Sequence, residues 1–197
     1  MLFLVNRIDK PSGNIDETAY EFLVSQKKGK FDSLLKAIDR VPALKSYLQN
    51  SSNSLTFFAV ENKSFEIAID KMNAVRVSNG QSKLYISNMK GLEPLLNRYA
   101  FNDKFLSNDV KVVLDVIMIH SLNDNYRMHA NYRLKEDDKS KSPTIYLEFS
   151  DTNNSLYNVE WDKSETSAVD KVLQNGVVHI LTNHHEFGFG KLIEFNK

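Results

Sequence analysis

The run Y-R-M-H-A-N-Y-R-L-K at residues 126–135 decides the fold class of this chain. Side chains in a β-strand point alternately to opposite faces, so the run separates into an apolar row and a polar row. The apolar row is Tyr126, Met128, Ala130, Tyr132 and Leu134, and the polar row is Arg127, His129, Asn131, Arg133 and Lys135. This alternation predicts a two-faced antiparallel strand, with its apolar row in the core and its cationic row in water.

Short apolar or alternating runs joined by polar turns lie on both sides of this strand. They predict strands at residues 2–8, 55–61, 64–70, 74–78, 83–87, 110–122, 144–150, 156–161, 177–185 and 189–196. The pair Asn79-Gly80 predicts a hairpin, because a type I′ turn needs positive φ at both central positions. The longest apolar run, 110–122, is expected to be a central strand beneath helices.

Helical periodicity is confined to a few segments. It predicts helices at residues 15–28, 31–40, 93–106 and 164–175, with a further turn or two after Pro42. The first helix is expected to begin with a capping box formed by Asn14 and Glu17. Strands that come in runs, with few helices between them, are typical of an α+β fold with mostly antiparallel sheet.

The predicted architecture follows from this order of elements. It is α+β, with an N-terminal helical pair, a mid-chain helix and a short C-terminal helix before a final hairpin. We expect a single compact unit over residues 1–197, and the alternative is two parts at 1–107 and 108–197.

Composition limits the classes of protein to which the chain can belong. Hydrophobic residues make up 42% of the 197, enough for a sizeable core. The 25 basic residues balance the 25 acidic ones, so the whole molecule has no general attraction for nucleic acid or anionic membrane. The absence of cysteine excludes disulfides, thiolate catalysis and cysteine-ligated metals. We expect a cytoplasmic protein with no membrane partner and no cofactor, and the abundance of Asn, Ser, Asp and Lys suits a bacterial or bacteriophage protein.

The histidines are the candidate catalytic residues. Those considered are His129, His179, His184 and His185. Acid–base cleavage of RNA needs one group that takes the 2′-hydroxyl proton and a second that protonates the leaving oxygen. His129, beside Arg127 and Arg133, could provide one of these groups, and His184 or His185 could provide the other.

A metal site can also be imagined near the C-terminus, from His179, His185 and Glu186. Neither His-x-x-x-His nor His-Glu-x-x-His spacing occurs there, and those are the spacings that bring ligands together on a helix. A hairpin end with polar side chains in water is the simpler interpretation, so no metal is predicted.

Two surfaces are candidates for binding. The cationic row contributes Arg127, His129, Arg133 and Lys135, which could contact phosphates or an acidic protein. Phe187 and Phe189 flank a glycine in a predicted turn and could form an exposed apolar tip that anchors a protein partner.

Three classes of function therefore stay open. The first, which we favour because no catalytic constellation stands out, is a non-enzymatic binding or accessory protein (an inhibitor, adaptor or assembly component). The second is a small nuclease or RNA-processing enzyme that uses the C-terminal histidines. The third is a nucleic-acid-binding module that uses the polar face of residues 127–135.

Overall fold

The computed structural model describes residues 16–112, 117–122, 126–136 and 143–197. Within these residues, seven strands form one sheet in the order β2-β1-β7-β6-β5-β4-β3. They are β1 Leu55–Ala59, β2 Ala100–Asn102, β3 Ile117–His120, β4 Arg127–Lys135, β5 Thr144–Asp151, β6 Asp162–Leu173 and β7 Gly176–Leu181. The helices are α1 Ala19–Ser25, α2 Asp32–Asp39, α3 Pro42–Gln49, α4 Asn62–Ser78, α5 Leu92–Leu96 and α6 Ser107–Val112.

The pairing of the strands confirms the α+β class with mostly antiparallel sheet. Among the described strands β1 and β7 run parallel, and the other five neighbouring pairs are antiparallel. β1 and β7 are buried along their whole length, as expected for strands covered on both faces. The strand predicted at residues 2–8, together with Asn14, lies outside the described residues.

The first helix begins one turn later than predicted. Its N-cap is Thr18, whose hydroxyl accepts from the Glu21 backbone N–H, while the Glu21 carboxylate accepts from the Thr18 N–H at 2.8 Å. The hydrogen bonds that the Glu21 carboxylate accepts from the Thr18 N–H and from the Thr18 hydroxyl lower the pKa of Glu21. The next free amide, that of Ala19, donates to the Asn175 side chain at 2.8 Å. A capping box and a distant acceptor therefore fix the start of α1.

The two hairpins predicted between residues 55 and 87 are wrong beyond β1, because α4 occupies Asn62–Ser78. Its buried apolar residues are Phe65, Ala68 and Met72, which have helical spacing. Gly80 has the positive φ expected of the pair Asn79-Gly80, but it ends the helix. Its N–H donates to Val77 O and the next N–H, of Gln81, to Arg76 O, which is a Schellman motif. A glycine with a left-handed backbone suits both a type I′ turn and a Schellman motif, so the pair Asn79-Gly80 does not distinguish a hairpin from a helix end.

The predicted C-terminal helix at residues 164–175 is also wrong, since this segment lies in β6. The register of β6 against β7 shifts twice, between Thr166 and Ala168 and between Ala168 and Lys171. Asp170, within the second shift, has a φ of 58°. Such bulges interrupt the two-residue alternation of a strand. As a result, the apolar residues Val169, Val172 and Leu173 follow the spacing of a helix face along the sequence and not the alternation of a strand.

Four further elements differ from the sequence-based expectation. Residues 110–122 were expected to form a central strand, but α6 ends within them and β3 lies at the edge of the sheet. The helix predicted at 93–106 is confined to α5 and a 3₁₀ turn, Asn97–Tyr99. The strand predicted at 156–161 is a loop. The final strand at 189–196 is a compact 3₁₀ segment, Phe187–Phe195.

Candidate functional site

The polar face of β4 lies beside β5 and β6 at one end of the sheet. Arg133 on β4 is 3.6 Å from the Glu148 carboxylate on β5, and Lys163 on β6 is 4.0 Å from the same carboxylate oxygen. Arg127 donates to the backbone oxygen of Asn154, and Lys135 is exposed. Glu148 therefore neutralises part of the predicted cationic row, as opposite charges on neighbouring strands commonly do.

His129 departs from the expectation for this row, because it is buried rather than in water. It is 3% exposed, and the Trp161 ring packs over it with 4.7 Å between ring centroids. Neither ring nitrogen has a hydrogen-bond partner among the described residues, and the same holds for the hydroxyl of Ser150, directly opposite on β5. Burial lowers the pKa of His129; the charges of Lys163 and Arg133 lower it further, and Glu148 raises it.

Trp161 belongs to the loop between β5 and β6, residues 152–161, which we name the contact loop. The loop begins with two residues of positive φ, Asn153 and Asn154. The Asn153 amide then donates to Glu160 O at 2.6 Å, and the Trp161 indole N–H donates to Ser155 O at 3.0 Å. Side chains from one end of the loop thus bind the backbone of the other end.

Backbone hydrogen bonds add to this internal order. The Ser155 N–H donates to Thr152 O at 2.8 Å, and the Glu160 N–H donates to Tyr157 O at 3.0 Å. At the base, the Thr152 hydroxyl donates to Arg127 O on β4 at 2.7 Å. The contact loop is therefore a hydrogen-bonded structure fixed to the neighbouring strand.

This ordered loop presents three large apolar side chains to solvent. Leu156 is 77% exposed, Tyr157 71% and Val159 88%, the highest values among the described large hydrophobic residues. Sequence reasoning missed this site because the run 156–161 alternates like a strand. The Asn153-Asn154 pair was the available signal, since asparagine tolerates the left-handed conformation of a tight turn.

A second candidate site, a cleft, contains some of the predicted catalytic residues. It is a cleft of about 450 Å³ between the start of β6 and the segment after β7. It is lined by Asp162, Lys163, Ser164, Glu165, Thr182, His184, His185, Glu186 and Phe189. The structure therefore brings His184, His185 and Glu186 to one cleft, whereas His129 and His179 do not line it.

His185 is buried at the floor of this cleft against Tyr99. Its Nε2 is 2.8 Å from the Tyr99 hydroxyl. The oxygen of that hydroxyl accepts from the Gly188 N–H at 2.8 Å. Burial lowers the pKa of His185 to about 3 and raises that of Tyr99. His185 is thus neutral at physiological pH and supports the packing of the C-terminal segment.

His179 is engaged by both ring nitrogens elsewhere in the core. Its Nδ1 accepts from the Asp170 N–H at 3.2 Å, and its Nε2 donates to Phe105 O at 2.9 Å. Glu186 accepts from Lys71. Within residues 16–112, 117–122, 126–136 and 143–197, no three His, Asp or Glu side chains are grouped closely enough to hold a metal ion. His179, His185 and Glu186 are accordingly not assembled into a site.

Phe187 and Phe189 do not form the expected apolar tip, because both are buried. Phe187 is 0% exposed and stacks on Phe65 of α4, with 4.2 Å between ring centroids, and Phe189 is 8% exposed. Gly188, Phe189 and Gly190 have consecutive positive φ values of 73°, 51° and 79°. This left-handed run folds the chain back, so that both rings enter the core.

Comparisons with known proteins show the fold. No family model matches the sequence, and no curated protein matches it. Among solved structures, the chain is similar to a FAS1 domain pair from the insect cell adhesion molecule fasciclin I, with a TM-score of 0.52 and 14% identity. The similarity covers 83% of this chain and 47% of that one, so the chain spans about half the length of the domain pair. None of the described helices is long and apolar enough to cross a bilayer.

Proposed function

We propose that this protein is a non-enzymatic binding module that contacts another protein through the contact loop. The observation that carries the proposal is the exposure of Leu156, Tyr157 and Val159 on a loop that is itself ordered. Exposed apolar groups in one place mark interaction sites in soluble proteins. Tyrosine is one of the residue types that contribute most of the binding energy at protein interfaces, and Leu156 and Val159 place apolar surface beside Tyr157.

The order of the loop favours binding over simple exposure. A flexible loop loses backbone conformational entropy when a partner immobilises it, at about 1–2 kcal/mol for each residue fixed. In the contact loop, the hydrogen bonds of Asn153, Ser155 and Trp161 have already fixed the backbone. Leu156, Tyr157 and Val159 therefore meet a partner with part of that entropy already lost.

The structural comparison supports the same class of function. The similar FAS1 domain pair comes from a cell adhesion molecule, and adhesion is a function of contact. The cytoplasmic location and the bacterial or bacteriophage origin stay predictions from the sequence.

We expect the partner surface to be an apolar pocket on a protein. Glu160 is the one charged residue of the contact loop and it is exposed, whereas Asp162, directly after the loop, is paired with Lys191. The Glu160 carboxylate is repelled by anionic lipid headgroups, which disfavours insertion of the loop into a membrane surface. A protein pocket can instead provide apolar walls for Leu156 and Val159 and a donor for the Tyr157 hydroxyl.

The test begins with a photo-crosslinking residue at position 157, expressed in the native cell. The control is the same residue at position 85, because Tyr85 is also exposed but lies far along the chain from the loop. The protein that crosslinks only through position 157 is purified, and its Kd is measured. We expect L156D/V159D to raise the Kd at least tenfold and Y85S to leave it within twofold.

Three results contradict the proposal. One is an unchanged Kd for L156D/V159D at unchanged melting temperature. Another is binding of the protein alone to vesicles of phosphatidylcholine and phosphatidylserine, lost in the same variant, because the loop is then a membrane element. The third is turnover of RNA or DNA by the purified protein that His184→Gln or His185→Gln abolishes.

A further inference from the structure

The contact loop is attached to the sheet at both of its ends. The Thr152 hydroxyl and Arg127 fix its first residues to β4, and Trp161 holds its last residue against the sheet. The indole N–H of Trp161 donates to Ser155 O, within the loop, and its backbone N–H is 3.4 Å from Asn158 O. Its ring is the part that reaches the sheet, where it packs on the imidazole of His129. The position of this end of the loop therefore depends on whether the His129 imidazole beneath the indole is neutral or charged.

The site under Trp161 accepts a neutral imidazole and opposes a charged one. A protonated imidazole has two N–H donors, and neither ring nitrogen of His129 has an acceptor among the described residues. Arg133 on the same strand and Lys163 on β6 add two positive charges nearby. Among the described residues, the acid that acts in the opposite direction is Glu148 on β5, and it already lies between these two cations.

We propose that the contact between His129 and Trp161 is a pH-sensitive switch, which holds the Trp161 end of the contact loop on the sheet at neutral pH and releases that end in mild acid. The release itself needs no partner. Its consequence, a weaker grip on the partner in acid, rests on the proposed function.

Proton linkage sets the size of the effect. With the loop in place, burial and two cations keep the pKa of His129 below its ordinary value of 6.5. When Trp161 moves away, the His129 imidazole is in water and the pKa of His129 returns toward 6.5. The open state alone then gains a proton as the pH falls below 6.5. The ratio of open to closed loop rises by up to about tenfold for each pH unit, until the closed-state pKa is reached.

The sequence provides a direct reporter, because Trp161 is the one tryptophan of the chain. Its fluorescence and its quenching by acrylamide are measured from pH 8 to pH 4.5, with far-UV circular dichroism on the same samples. We expect emission to shift to longer wavelength and quenching to increase below pH 6.5, over a range in which the dichroism is constant.

Two variants assign the transition to His129. His129→Phe keeps an aromatic ring beneath Trp161 and cannot titrate, and His129→Gln is a polar alternative should the first not fold. We expect either variant to abolish the transition. His184→Gln, which removes an exposed histidine, is expected to leave it unchanged.

The possible outcomes separate this inference from the proposed function. A constant Trp161 signal between pH 8 and pH 5, or the same transition in both His129 variants, overturns the switch and says nothing against the loop as a binding element. An unchanged Kd in L156D/V159D overturns the proposed function and leaves the fluorescence result standing. If the switch and the proposed function are both correct, the Kd for the partner rises between pH 7.5 and pH 5.5 in the wild type and is constant in His129→Phe.

Discussion

Arg98 and Asp151 form a buried ion pair in which a guanidinium nitrogen lies 2.6 Å from a carboxylate oxygen. The other oxygen of Asp151 accepts from the Tyr126 hydroxyl at 2.7 Å and from the Asn153 N–H at 2.9 Å. The Arg98 guanidinium also lies over the Tyr126 ring, 4.1 Å from its centroid. The pair thus joins the 3₁₀ turn after α5 to the end of β5, where the contact loop begins.

Replacing Asp151 with alanine should destabilise the fold strongly. The change leaves the Arg98 charge buried without its partner, which typically costs 3–5 kcal/mol. Urea unfolding should show a decrease of about that size in the free energy of unfolding. The matched control is Glu66→Ala, which breaks the exposed ion pair with Lys63. We expect that change to leave the free energy of unfolding nearly unchanged, because solvent screens an exposed ion pair, and equal losses in the two variants would contradict the special role of Asp151.

Asn175 is a second polar group on which the fold depends. It is 1% exposed, accepts from the Ala19 N–H, and donates to Leu48 O at 2.9 Å and to Asn50 O at 3.1 Å. One amide in the β6–β7 turn thereby binds the start of α1 and the end of α3. Sequence reasoning treated it as the end of a helix, because a side chain that joins segments more than 120 residues apart leaves no local pattern.

Substitution of Asn175 by alanine should therefore cost about 3 kcal/mol or more. Each buried backbone group that loses its partner contributes roughly 1–3 kcal/mol. Thermal and urea unfolding measure the loss. Asn158→Ala, in an exposed position, is expected to change the free energy of unfolding by less than about 0.5 kcal/mol. A loss below about 1 kcal/mol for Asn175→Ala would show that water replaces the amide.

The sequence predicts those strands in which apolar and polar residues alternate without interruption. β4 lies where the run at residues 126–135 placed it, with Met128 and Ala130 buried and Arg133 exposed, but Leu134 of the predicted apolar row is 53% exposed. β6 was not predictable in this way, since its two register shifts remove the alternation. The contact loop was missed for another reason. Leu156 and Val159 are apolar, and a sequence does not reveal that apolar residues are left in water.

Gly176 in the sheet and Gly80 at the end of α4 allow the cost of adding a Cβ to be compared at a crowded and at an open position. Both have positive φ, 151° and 72°. A Cβ at Gly176 would lie 1.9 Å from Leu55 O, inside the pairing of β1 with β7, whereas a Cβ at Gly80 would meet nothing within 4 Å. Gly80→Ala should cost about 1–2 kcal/mol from backbone strain alone. Gly176→Ala should cost well over 3 kcal/mol or prevent folding, and comparable melting temperatures in the two variants would argue against the β1–β7 register.

His185 makes the stability of the protein dependent on pH. Its pKa is about 3 in the folded chain and about 6.5 in an unfolded chain. The unfolded state thus binds more protons between these values. Stability is complete above pH 6.5 and decreases as the pH falls toward 3, by about 2 kcal/mol at pH 5 from this residue alone.

The glutamine variant isolates this contribution. His185→Gln cannot titrate and still offers an oxygen to the Tyr99 hydroxyl. The free energies of unfolding of wild type and variant are compared at pH 7.5 and pH 5.0, so that the other buried histidines, present in both proteins, cancel. The decrease between the two pH values should be about 2 kcal/mol smaller in His185→Gln, and should not change in His184→Gln. An equal decrease in all three proteins would mean that His185 is accessible to protons in the folded state, and that Tyr99 does not shield it from the cleft.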